Sequence, residues 1–211
     1  MFTKTLLPDT LRAIKLVAQI EELKNAYLAG GTALALQIGH RISVDLDFFT
    51  QEKFNEDTLS SKLIASTKFV QEGATEGTVW GRIGETRFSM FHYQYPLLEP
   101  TAFFENIQIA SPTDIAAMKI HAIEGRGIKR DFIDIYFLAK MYTLEDMLGF
   151  YQKKYSVEKN HLYAVLRSLD YFEDAEQESE MPKMLIEVDW ERVKEYFRNG
   201  TRVLVEKNLQ A

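Results

Sequence analysis

The chain has 211 residues, of which 46% are hydrophobic and 27% charged, with a formal net charge of −6; this is the make-up of a globular protein with room for one large domain or two small ones. The absence of cysteine excludes disulfides, thiolate metal sites and cysteine nucleophiles. No apolar run reaches the length of a membrane span, no basic segment precedes an apolar stretch as in a secretory signal, and the acidic balance argues against a broadly basic nucleic-acid surface while leaving room for a local basic patch. A cytoplasmic protein with no membrane partner is expected.

In chain order, Leu11 to Leu23 has apolar residues at Ala13, Leu16, Val17, Ile20 and Leu23, a stripe that predicts a helix after the N-cap-like Pro8-Asp9-Thr10. A short strand over Ala26 to Leu28 leads into Gly30-Gly31. Thr32 to Ile38 is rich in helix formers, with Gly39 as a natural stop, and a strand bearing Asp45 and Asp47 follows. Glu56 to Ser66 reads as a helix. Val70 to Tyr95 reads as two or three strands, from alternation broken by Gly81 and Gly84, and Pro96 and Pro100 bracket a loop. From Ser111 the pattern turns helical, with Pro112 and Asp114 suited to a first turn. Helices are expected over Ile115 to Ile123, Arg130 to Lys140 and Leu144 to Tyr155, with mostly helix on to Ala211 around a solvated acidic loop at Glu173 to Glu180. The expected fold class is α/β (α+β): a mixed sheet core with flanking helices over residues 1–110, then a helical region over 111–211 that completes a shared cleft.

The chemistry concentrates in the first half. Asp45 and Asp47 are spaced by two, so on a strand both carboxylates point to one face. Like charges so close raise one another's pKa, whereas a hard divalent cation taking oxygens from both favours full ionisation. An Asp-x-Asp metal clamp is therefore the leading reading, with capping aspartates at a strand end as the alternative. Upstream, a Gly-Gly turn that opens a helix leaves backbone N–H groups free to an anion, with the hydroxyl of Thr32 beside them. A nucleoside triphosphate with Mg²⁺ fits both halves, because the ion bridges carboxylates to phosphate oxygens. Arg41 either binds a phosphate or supports Asp47 by a salt bridge. His92 and His121 lack metal-ligand spacing and read as structural. The pairs Phe48-Phe49, Phe103-Phe104 and Tyr171-Phe172 read as core rather than base-stacking platforms.

The segment Gly30-Gly-Thr-Ala-Leu-Ala-Leu, continued by His40-Arg-Ile-Ser-Val-Asp-Leu-Asp-Phe-Phe49, resembles the nucleotidyltransferase core of the AbiEii/AbiGii toxin-like family, within the DNA polymerase beta superfamily. A second similar block is Thr113-Asp-Ile-Ala-Ala-Met-Lys119 through Arg126 and Asp131 to Asp134 and Leu138. The resemblance covers roughly residues 25 to 140. It implies a nucleotidyltransferase-like fold in which Gly30, Gly31 and Thr32 hold phosphate, Asp45 and Asp47 hold metal, and Lys119 contacts the nucleotide phosphates. Asp131, with Asp134, fills a later acidic motif. It also implies a toxin acting on RNA such as a tRNA acceptor end, with an antitoxin encoded alongside. The alternative reading of Lys119, Asp131, Asp134, Arg126 and Arg130 is an ion-paired helix junction.

One departure stands out. Many members of this superfamily carry a third carboxylate on a later strand, and Thr86 to Tyr93 has none. The expected activity is Mg²⁺-dependent transfer of a nucleoside monophosphate from an NTP to a hydroxyl. The rivals are a phosphotransferase using the same NTP site, a catalytically silent nucleotide-binding protein, and a purely structural protein.

Overall fold

Period-two burial organises Met1–Ser111, the first of two units into which the chain divides; the second is Pro112–Ala211, and the computed structural model describes residues 1–209. The first unit holds strands β1 (Tyr27–Ala29), β2 (Leu46–Thr50), β3 (Phe69–Thr75), β4 (Thr78–Ile83), β5 (Thr86–His92), β6 (Ala102–Phe104) and β7 (Ile107–Ile109). They form a mixed sheet in the order β3-β4-β5-β2-β1-β7-β6. β2 runs antiparallel to β1 and parallel to β5, while β1 runs parallel to β7.

On β2 the alternation is complete. Leu46, Phe48 and Thr50 are buried, and Asp47 and Phe49 are half-buried on the opposite face. The buried face continues through Leu28, Phe88, Met90 and Val79, where Phe48 and Phe88 bring ring centroids to 5.6 Å. It is covered by α1 (Pro8–Val17), α2 (Gly30–Ile38) and α3 (Glu56–Ser66), which contribute Ile14, Leu34, Leu36 and Leu59. Removing these apolar surfaces from water drives the layer together. Asp47 sits on the face opposite the one that these helices cover.

The second unit is helical, with α4 (Pro112–Arg126), α5 (Lys129–Leu138), α6 (Leu144–Tyr155), α7 (Leu162–Leu169), α8 (Glu173–Glu176) and α9 (Trp190–Leu209). Pro112 opens α4 and Asp114 lies in its first turn. A capping box between Thr143 and Asp146 starts α6. Phe132 anchors an aromatic core, its ring centroid 5.1 Å from both Phe172 and Phe197. Among the described residues, no helix is long and apolar enough to cross a membrane.

Several expectations are corrected. The first helix spans Pro8–Val17 rather than Leu11 to Leu23: Pro8 is its first residue after an N-cap at Leu7 that makes no side-chain cap bond. The buried Ile20 and Leu23 belong to a following turn and a 3₁₀ segment at Glu21–Leu23, which buries the same side chains as a continued helix would. Asp45 falls one residue before β2, not within it. The acidic stretch expected as a loop contains α8. Phe103 is 69% and Tyr171 47% exposed, so of Tyr171-Phe172 only Phe172 is in the core, and Phe103-Phe104 is not a core pair, Phe104 being half-buried. For the expectation of helix on to Ala211, Gln210 and Ala211 lie outside the described residues.

Candidate active site

The strand–glycine–helix junction brings the predicted residues of the first unit together. Gly30 takes φ +68°, the left-handed region open to glycine, as β1 turns into α2. Ala29 pairs with Asp47 across the β1–β2 ladder, which puts the carboxylate beside the turn. A Cβ placed on Gly30 would lie 3.2 Å from Asp47 Oδ2. The carboxylate thus rests against bare glycine at a helix N-terminus, where the dipole favours negative charge.

Gly31 serves a different neighbour. A Cβ there would lie 2.1 Å from Nη2 of Arg41 and 3.3 Å from the Ser43 hydroxyl, so the missing side chain is the space that the guanidinium occupies. Arg41 is 4% exposed, and its Nη1 donates to the Ile42 carbonyl at 3.2 Å. Thr32 is fully enclosed. Its hydroxyl donates to the Asp45 carbonyl at 2.5 Å and shares a bond with the Ser43 hydroxyl at 2.9 Å. The first turn of α2 is thereby tied to the segment that delivers both aspartates. Gly31→Ala is expected to displace Arg41, because backbone-linked Cβ and guanidinium cannot share that volume; overpacking of this kind destabilises by about 1–3 kcal/mol, readable as a drop in thermal midpoint.

Asp45, Asp47, Gly30, Gly31, Thr32 and Arg41 therefore form one constellation. Its donor chemistry fits a hard cation: two carboxylates, with the remaining ligands left to phosphate oxygens and water, is how Mg²⁺ is held beside phosphoryl groups. Among the described residues no three His, Asp or Glu side chains converge as a complete protein cage. The ladder shows what stands on β5, where a third carboxylate is absent. On β5, Ser89 stands opposite Asp47, and Arg87 lies one residue before the first pair, Leu46 with Phe88.

Lys119, Asp131 and Asp134 come together in the second unit, at the junction of α4 and α5. Lys119 Nζ lies 2.6 Å from Asp131 Oδ1 and 2.7 Å from Asp134 Oδ2, with Arg126 Nε 3.8 Å from Asp131 Oδ2. The lysine side chain is 8% exposed and the carboxylates almost wholly buried. Two carboxylates around one ammonium leave an excess negative charge that Arg126 offsets. Sequence reasoning missed a second buried pair, Lys154 Nζ to Asp114 Oδ1 at 2.7 Å; forty residues of separation left no local signal. His121 is structural in setting, 4.5 Å from the Tyr155 ring centroid and 3.6 Å from a Glu124 oxygen.

A mixed sheet carrying Asp47 beside a Gly-Gly helix start is the arrangement expected of a nucleotidyltransferase. The model of the family described as nucleotidyl transferase AbiEii toxin, type IV toxin–antitoxin system, matches residues 14–102 and 90–203, and the chain belongs to that family. It is an NTP-dependent nucleotidyltransferase. An uncharacterized protein of Aquifex aeolicus (strain VF5) is 35% identical over 201 residues, covering 92% of this chain and 95% of that one. Among solved structures, a proposed nucleotidyltransferase from H. pylori superposes with TM-score 0.53 at 19% identity, covering 94% and 92% of the two chains. The antibiotic-resistance factor ANT(2″)-Ia does so with TM-score 0.54 at 12% identity, covering 77% of this chain and 99% of its own. At those identities the two structures speak to the fold alone.

Proposed function

We propose that the protein uses Mg²⁺ to transfer a nucleoside monophosphate from an NTP to a hydroxyl on RNA, such as a tRNA acceptor end, and that it acts as the toxin of a pair whose partner is an antitoxin protein. The observation that carries this is the contact of the Asp47 carboxylate with bare Gly30 at the N-terminus of α2, which sets a cation-binding group next to an anion-binding one. A divalent ion, when bound, neutralises phosphate charge and stabilises what develops in the transfer.

The chain's own residues do the rest. Asp45 and Asp47 anchor the cation, and the N–H groups of Gly30 and Gly31 with Arg41 orient the phosphates. Thr32 acts through the Asp45 backbone as a positioning residue. The acceptor oxygen bonds to the α-phosphorus as the α–β bridging P–O bond breaks and pyrophosphate leaves. With Ser89 and Arg87 where a basic carboxylate would stand, the acceptor proton passes to water or to the substrate phosphates, and the acceleration comes from positioning and electrostatics. Lys119 and Asp131 are proposed as further charged groups needed for transfer. Lys119→Ala is expected to lower both transfer and thermal stability, since it strands two buried carboxylates; full retention of transfer would remove them from the reaction.

Calorimetric titration of each NTP with and without Mg²⁺ tests the site. Binding that requires the ion and disappears in a folded Asp45→Ala/Asp47→Ala variant is the expected result. Label from the α-phosphate then appears on the acceptor; label from the γ-phosphate would instead establish phosphotransfer, and binding without either would establish a silent nucleotide-binding protein.

A further inference from the structure

On the side of Asp47 away from the glycine turn, its sheet face continues across β5 and β4 as a half-buried row. Asp47 is level with Ser89, Ser89 with Trp80, and Trp80 with Gly73. In the adjacent row, Arg87 pairs with Arg82. Paired residues on neighbouring strands project to the same face, so both arginines and the tryptophan share the face of Asp47. At two strand spacings, Trp80 stands about 10 Å from Asp47.

The indole is held flat. A Cβ on Gly73 would lie 2.1, 2.6 and 2.7 Å from three adjacent atoms of the Trp80 ring, an approach to the ring face rather than its edge. Half-buried Trp80 is thus packed on Gly73 through one face and is partly open to solvent. Arg87 is exposed and has no ion-pair partner among the described residues. Arg82 Nε donates to Glu72 at 2.8 Å, so Arg87 supplies most of the free positive charge. A flat aromatic flanked by an arginine in an otherwise acidic protein suits a stacked base and its phosphate.

We propose that Trp80 and Arg87 form the docking platform for the single-stranded 3′ end of the RNA acceptor; this rests on the nucleotidyl-transfer reading above. The placement follows from in-line chemistry. Pyrophosphate must leave on the side of the α-phosphorus opposite the attacking hydroxyl, and the Gly30-Gly31 cradle lies on the β1 side of Asp47. The acceptor then approaches from the β5–β4 side, where the indole, lying over Gly73 on β3, is about three strand spacings, roughly 14 Å, from Asp47, within reach of a strand extended by about two nucleotides.

The test is fluorescence anisotropy of a 5′-labelled ten-nucleotide single-stranded oligoribonucleotide, with Mg²⁺–NTP calorimetry and thermal melts on the same samples. Trp80→Ala is expected to weaken RNA binding about ten-fold or more while NTP affinity stays within a few-fold, and Trp80→Phe to restore most of it. Arg87→Ala, which removes no packing, is expected to weaken binding and lower the salt-dependence slope by about one; it keeps the test decisive if Trp80→Ala unfolds. RNA binding unchanged in both variants, or absent from the wild type, overturns the platform and leaves the transfer reading standing if NTP still binds. Loss of NTP rather than RNA affinity in Trp80→Ala would assign the indole to the nucleotide base and overturn the acceptor assignment. A wild type that binds no NTP fails the transfer reading itself.

Discussion

Asp47→Asn is expected to reduce transfer of α-labelled nucleotide by roughly a thousand-fold while the protein stays folded. Asparagine keeps the shape that rests against Gly30 and removes the charge. A coordinated divalent ion contributes several kcal/mol to the transition state of phosphoryl-type transfers, and each 1.36 kcal/mol is a factor of about ten in rate. The effect on folding is small by comparison. Asp47 is half-buried, and loss of a favourable charge at a helix N-terminus costs about 0.3–1 kcal/mol. The Mg²⁺ concentration for half-maximal rate is expected to rise in Asp47→Asn and in Asp45→Asn, and chelation is expected to bring the wild type down to the rate of the variants. A variant that keeps a tenth of wild-type activity would show that the pair does not hold the essential ion.

That Asp47 lies on the face opposite Leu46 and Phe48 was legible because strand parity depends only on spacing, whereas Asp45 precedes the strand and lies outside that rule. The Gly-Gly turn was legible because few other sequences allow φ +68° followed directly by a helix. What lay beyond local rules was the use of each glycine: that Gly31 makes room for Arg41 depends on a contact ten residues away. The β6–β7 hairpin was missed because its strands are three residues each and its turn, Glu105-Asn106 at φ 46° and 66°, lacks the Asn-Gly or Asp-Gly pair that marks such turns. The stripe through Ile20 and Leu23 misplaced the end of the first helix because a 3₁₀ turn can present apolar residues at the same spacing. Ladder register, invisible from one strand alone, set Ser89 beside Asp47 and put Arg87 and Arg82 opposite each other on the same face.

The second unit stakes its stability on charge pairs, and Lys154 with Asp114 is the extreme case, since both side chains are 0% exposed. Lys154→Met is expected to destabilise that unit by about 3–5 kcal/mol, because the carboxylate of Asp114 on α4 is left buried without its counter-charge. The double variant Lys154→Met/Asp114→Leu removes both charges and replaces them with apolar groups. It is expected to recover most of the loss, since the attraction within a buried pair is largely cancelled by the desolvation of its members. Denaturant melts of the wild type, both single variants and the double variant measure the coupling. Additive losses would mean that each residue contributes through other neighbours rather than through the pair. Recovery in the double variant would identify the pair as a device for registering α6 against α4, which in turn carries Lys119 to its place between Asp131 and Asp134; transfer by the recovered double variant should then match the wild type, because neither Lys154 nor Asp114 belongs to the proposed chemistry.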